Sequence, residues 1–172
     1  NNFYIAGVEL MTKHFKIDGI YIDDCSRDRI TIRRARKIVD DNRPAARIDM
    51  HSWNHFNQYA GYASCLNLYM DLLPYVDQLW IGEGRNYNTP PDYWLVEIAG
   101  IPFGLPSQML EGGGNPWRGM IYGITNRAGW SGNPPDNIWK FWDQYHIQKK
   151  EMIGYWDANS PVKSSNDSVK IT

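Results

Sequence analysis

Residues 18–54 read DGIYIDDCSRDRITIRRARKIVDDNRPAARIDMHSWN, and this stretch decides the fold. It opens on Gly19-Ile20-Tyr21-Ile22, a short β-prone run that stops abruptly at Asp23-Asp24. Residues 29–42 then place Ile32, Ala35, Ile38 and Val39 at helical spacing, with Arg33, Arg34, Arg36 and Lys37 facing away. After Arg43-Pro44, residues 45–50 form a second strand candidate that runs into His51-Ser52-Trp53-Asn54. Strand, amphipathic helix and strand joined by short links are the pattern of a parallel βαβ unit.

The alternation continues on both sides. Residues 3–16 carry apolar positions at helical spacing, and residues 64–76 read as a helix whose end Pro74 disturbs. Residues 77–81 form a strand candidate entering Gly82-Glu83-Gly84. A helix over 91–99 follows, with Pro91 at its tolerated first position and Gly100 as its stop. Residues 101–105 and 119–124 complete a set of five strand candidates. A last amphipathic helix over 136–147 is opened by Asp136 as a cap, with Trp139 and Trp142 expected in the core.

The strands end in chemically capable residues: Asp23-Asp24, His51 to Asn54, Gly82-Glu83-Gly84, then Gln108 and Glu111. Barrel enzymes build their sites from the C-terminal ends of several strands, and no nucleotide-binding glycine pattern follows any strand here. The predicted fold is therefore an α/β (β/α)8 barrel rather than a doubly wound sheet. A complete barrel takes about 250 residues. The chain is thus expected to be its C-terminal half, with residues 1–158 the partial barrel and 159–172 a linker or the start of a following domain. The open sheet edges would then be covered by the missing barrel half or by another chain.

Composition narrows the function. The 172 residues carry a net charge of −1 with no long basic run, which argues against nucleic acid or an anionic membrane as the partner. No apolar stretch approaches the length of a membrane span. Two cysteines make neither a disulfide framework nor a zinc site, and the four histidines lack metal-ligand spacing, so no metal or other cofactor is expected. There is no Gly-x-Ser-x-Gly elbow. The excess is aromatic: 8 Trp and 11 Tyr, which suit stacking against pyranose rings as well as a large aromatic core.

Asp23-Asp24 is the leading chemical feature. Two carboxylates beside a dry strand can be driven to different protonation states, as glycosidic cleavage requires. The alternative is structural: one aspartate caps the next segment and the other pairs with Arg27 or Arg29. Glu83, flanked by glycines and preceded by Trp80, is a further site carboxylate or else a solvated turn residue. Trp53, Trp80 and Trp117 are candidate sugar platforms, and His51, Asn54 and Arg118 candidate hydrogen-bonding partners of the substrate. The loop Glu111-Gly112-Gly113-Gly114-Asn115-Pro116-Trp117-Arg118 reads as cleft lining rather than phosphate cradle.

The runs DGIYIDD (18–24), RIDMHSWN (47–54), LPYVDQLWIGEG (73–84), PDYWLVEIAGIPFG (91–104), GGNPWRGMIYGITNR (113–127) and IWKFWDQY (138–145) together resemble the catalytic barrel of bacterial proteins related to glycoside hydrolase family 123. The resemblance implies a secreted or periplasmic glycan-degrading enzyme with a β-sandwich after its barrel. It further implies β-N-acetylhexosaminidase chemistry assisted by the substrate's own acetamido group. Carried over by motif, Asp23 is the residue that polarises that group and Asp24 the acid/base. The second position is Glu in family 123, whereas adjacent Asp-Asp serves another family of retaining N-acetylhexosaminidases.

Two other readings stay open at this point. A retaining or inverting glycosidase could pair an aspartate after this strand with Glu83, the carboxyl separation being about 5–5.5 Å or about 6.5–9.5 Å respectively. A non-catalytic carbohydrate-binding domain would keep the aromatic cleft without the chemistry.

Overall fold

The computed structural model of the chain describes residues 1–23, 27–51, 67, 69–82, 85–109, 115–126 and 134–172. They fall into two units, residues 1–81 and 82–172.

The first unit is the predicted βαβ arrangement, extended at both ends. Helix α1 (Asn2–Lys13) and helix α2 (Arg29–Asn42) pack on each other. Helix α1 buries Ile5, Val8 and Thr12, the Thr12 hydroxyl donating back to the Val8 carbonyl at 2.8 Å. Helix α2 starts at Asp28, whose Oδ1 accepts the Thr31 N–H at 2.9 Å while Oδ2 accepts the Thr31 hydroxyl at 2.8 Å. The helix cap that the structural alternative sought at Asp23-Asp24 is therefore supplied by Asp28, four residues further on than Asp24.

Three strands, β1 (Gly19–Ile22), β2 (Arg47–His51) and β3 (Gln78–Ile81), run parallel in the order β1-β2-β3. Ile20 lies beside Ile48 and Ile22 beside Met50; Met50 lies beside Leu79. Burial alternates along β2, with Ile48 and Met50 completely covered. With Leu79, Ile81, Ile32, Ala35 and Val39 they make the dry core of this unit. That alternation leaves Arg47, Asp49 and His51 on the other face of the sheet.

The second unit opens at Gly82, whose φ of +96° and whose approach to the Tyr87 hydroxyl exclude a side chain. Helix α3 (Pro91–Tyr93) widens at once into a π-turn over Trp94–Ile98, closed by the Ala99 N–H donating to the Trp94 carbonyl at 2.8 Å. Trp94, completely buried, is the centre of a core with Tyr87, Ile98, Ala99, Tyr122 and Ile124. Its indole N–H donates to the Tyr87 carbonyl at 3.1 Å, and the Tyr122 hydroxyl donates to the Pro91 carbonyl at 2.7 Å.

Two strand expectations are corrected here. Ile101–Phe103 is a 3-10 turn containing Pro102, and the strand β4 comes later, at Ser107–Met109. Of residues 119–124, the first four belong to a 3-10 helix, Pro116–Tyr122, opened by the Asn115 side chain accepting the Trp117 N–H at 3.0 Å and closed by Gly123 at φ +68°. The described residues thus hold four strands, not five. Where a helix was expected over 64–76, the described residues include a 3-10 turn at Leu73–Tyr75. Helix α4 (Asp136–Tyr145) forms as expected but has no side-chain cap, since Pro135 precedes it, and Trp139 is 38% exposed rather than core. No helix among the described residues is long and apolar enough to cross a membrane.

Candidate active site

The polar face of the first unit's sheet gathers functional side chains in rows. Tyr21 on β1 is in register with Asp49 on β2, and Asp49 with Gln78 on β3. One step along, His51 is in register with Trp80, and Asp23 continues the β1 row. Residues paired in this way project to the same face. The Tyr21 and Trp80 rings meet across the central strand with centroids 5.0 Å apart, and Tyr21 also lies nearly parallel to His51 at 6.4 Å. Aromatic surface therefore floors the C-terminal end of the sheet.

Asp23 stands at the rim. Its Oδ1 meets Nδ1 of His51 at 2.9 Å and accepts the Tyr21 hydroxyl at 3.3 Å. The carboxyl is 80% exposed, whereas the imidazole is only 12% exposed. A buried ring thus anchors an exposed carboxylate at the end of a rigid strand. His51 spends Nδ1 on this contact with Asp23. Arg27, one of the structural partners considered for the aspartates, lies instead over the Tyr4 ring at 4.6 Å.

Asp49 is a carboxylate of this face that sequence reasoning did not single out. Burial pushes its carboxyl up to about 6, against the opposing pull of the Trp80 indole, the Met50 backbone and the charge of His51. Its Oδ1 is buried with no hydrogen-bond partner among the described residues. The signal was present: an acid at the alternate position between Ile48 and Met50 must face the same way as His51.

In the second unit, Trp117 is 44% exposed with its ring edge-on to Phe141 at 6.2 Å, an accessible face suited to a sugar. Arg118 places its guanidinium over the Trp94 ring at 5.0 Å. Arg85 and Glu97 form an ion pair at 3.3 Å in which each side chain is only 4% exposed. Burial raises Glu97 and the charge of Arg85 works against it. Glu97 sits in the π-turn, a feature with no sequence pattern that predicts it. Asp24, Trp53, Asn54 and Glu83 lie outside the described residues. Among the sequence candidates, then, the first unit brings together Asp23, His51 and Trp80, and the second holds Trp117 and Arg118.

A strand-end carboxylate beside stacked rings is a fit for carbohydrate. Residues 1–129 match the TIM-barrel domain of glycoside hydrolase 123, and residues 134–172 match the C-terminal domain of the same family. The chain belongs to glycoside hydrolase family 123. No curated protein and no solved structure matches it. Membership of family 123 makes the protein a glycoside hydrolase, with a glycan as substrate, and places its parallel βα units in a TIM-barrel family. The reading as a non-catalytic carbohydrate-binding domain gives way to an enzyme.

Proposed function

We propose that the protein is an N-acetylhexosaminidase whose reaction is assisted by the substrate's 2-acetamido group, with Asp23 and Asp24 as the catalytic pair. The observation that carries this reading is the 2.9 Å contact between Asp23 Oδ1 and His51 Nδ1 at the end of β1. A carboxylate fixed through one oxygen can present the other to an amide N–H without rotating away. In the first step the acetamido carbonyl oxygen bonds to the anomeric carbon, and the bond to the aglycone oxygen breaks with its electron pair. Asp24 gives its proton to that departing oxygen. Asp23 accepts the acetamido N–H and stabilises the positive charge that the resulting oxazolinium carries. Asp24 then takes a proton from water, which attacks the anomeric carbon and reopens the ring. Tyr21 and Trp80 of the first unit supply apolar surface for the sugar, Trp53 a further platform and Asn54 a polar contact.

The test is hydrolysis of aryl β-N-acetylgalactosaminide and β-N-acetylglucosaminide beside the matching galactoside and glucoside. Only the acetamido sugars are expected to turn over. Asp23→Asn is expected to lower kcat by about 100-fold or more while the protein stays folded, since it removes stabilisation of charge formed in the transition state. Turnover of sugars lacking the acetamido group would overturn the proposal and move the nucleophile to a protein carboxylate, with Glu83 the partner to examine.

A further inference from the structure

We infer that Asp49 is a positioning residue for the Asp23–His51 pair, acting from beneath the Tyr21–Trp80 rings. This rests on the reading of Asp23 given above. The geometry is specific. Tyr21 from β1 and Trp80 from β3 converge over the central strand at 5.0 Å, and Asp49 is the residue of that strand in register with Tyr21. His51, two residues on, shares its face and carries the contact to Asp23. The carboxyl of Asp49 thus lies on the sheet floor beneath the rings, where it interacts electrostatically with the imidazole that meets Asp23.

Hydrogen bonding to the Trp80 indole and the Met50 backbone offsets only part of what burial costs the Asp49 carboxyl. It makes no ion pair to a lysine or arginine among the described residues, and its Oδ1 has no hydrogen-bond partner there. An apolar or amide side chain would fill the position at lower cost. The titratable and charged groups on the face of Asp49 are Tyr21 from β1, Asp23 from the segment after it, and Arg47 and His51 from its own strand, with Arg47 meeting Asp77. From β3 it meets Gln78 and Trp80, which do not titrate. When Asp49 is ionised its negative charge attracts the imidazole and steadies the ring that meets Asp23. When Asp49 is protonated that support is lost.

The test uses the full chain and has two arms. Carboxyl 13C NMR follows Asp49 directly, with a midpoint expected near 6 that moves upward in His51→Gln as the opposing charge is removed. This arm needs no turnover, so it stands apart from the proposed activity. In the second arm, Asp49→Asn is expected to lower kcat about tenfold or more, by loosening Asp23, and to abolish the step near pH 6 in the rate profile. KM should change by less than about twofold, as befits a residue that does not touch substrate. The melting temperature at pH 7 should hold or rise. An Asp49 midpoint that ignores His51 would overturn the inference. So would an Asp49→Asn enzyme with a lowered melting temperature and an unchanged pH profile, the behaviour of a merely structural residue. Failure of the unaltered enzyme to cleave acetamido sugars would instead count against the proposed function.

Discussion

Asp49 shows how a single residue can work against the fold that holds it. In the folded protein its carboxyl keeps a proton up to about pH 6, whereas in the unfolded chain it releases one near the ordinary value of 3.8. Below both values the group is neutral in either state and costs nothing through this route. As pH rises through the folded value, folding must carry a buried carboxylate, and stability falls. Two pH units correspond to about 3 kcal/mol, which partial solvent access reduces to roughly 1–2 kcal/mol. Asp49→Asn is therefore expected to be more stable than the unaltered protein at pH 7 by that amount, with the gap closing as pH falls from 6 towards 4. Urea denaturation at the two pH values measures it, and a loss of activity in the same variant would mark a residue kept for function rather than stability. At this scale the sequence was partly legible. Asp23 stood out because a buried apolar run ended in it, and His51 and Trp80 because they close neighbouring strands. Their pairing was not legible, since register between strands is set by packing across the sheet. Asp49 was passed over because it lies inside a strand, where a carboxylate reads as an outward-facing residue.

Between elements, Asp77 is the joint that holds α2, β2 and β3 together. Its Oδ2 accepts the Ile48 N–H at 2.8 Å and Nη1 of Arg36 at 2.6 Å, while Oδ1 meets Nη1 of Arg47 at 3.3 Å. Burial alone would raise this carboxyl, but the Ile48 N–H and the Arg36 guanidinium outweigh it and hold it below the usual range. The stabilisation is thus present above the ordinary carboxylate range and is lost as pH falls through the lowered value. Asp77→Asn is expected to cost about 1 kcal/mol at pH 7 after allowance for solvent access, with the difference from the unaltered protein shrinking at pH 3. Thermal melts at both pH values check this. The elements that were legible are those with sustained periodicity: α2, with its apolar stripe and arginine-rich back, matches its expected range. The misread segments were short. Ile101-Pro102-Phe103 is apolar enough for a strand, yet Pro102 lacks the N–H that a ladder needs and its fixed φ suits a 3-10 turn. Apolar runs of this length do not distinguish buried strand from buried turn by pattern alone.

For the molecule as a whole, parallel βα units that deliver Asp23, His51 and Trp80 to one end of the sheet, together with membership of family 123, support a glycoside hydrolase whose chemistry sits at strand ends. The central claim is that the nucleophile belongs to the sugar and that Asp23 steadies it. One measurement addresses this most directly: kcat/KM for aryl N-acetylhexosaminides whose acetyl group carries none, one, two or three fluorines. Fluorine withdraws electron density from the acetamido carbonyl oxygen and leaves the leaving group untouched. If that oxygen attacks the anomeric carbon, the rate constant falls steeply with each fluorine added. A rate constant that stays nearly level across the series would contradict the account, because a protein carboxylate would then be the attacking group.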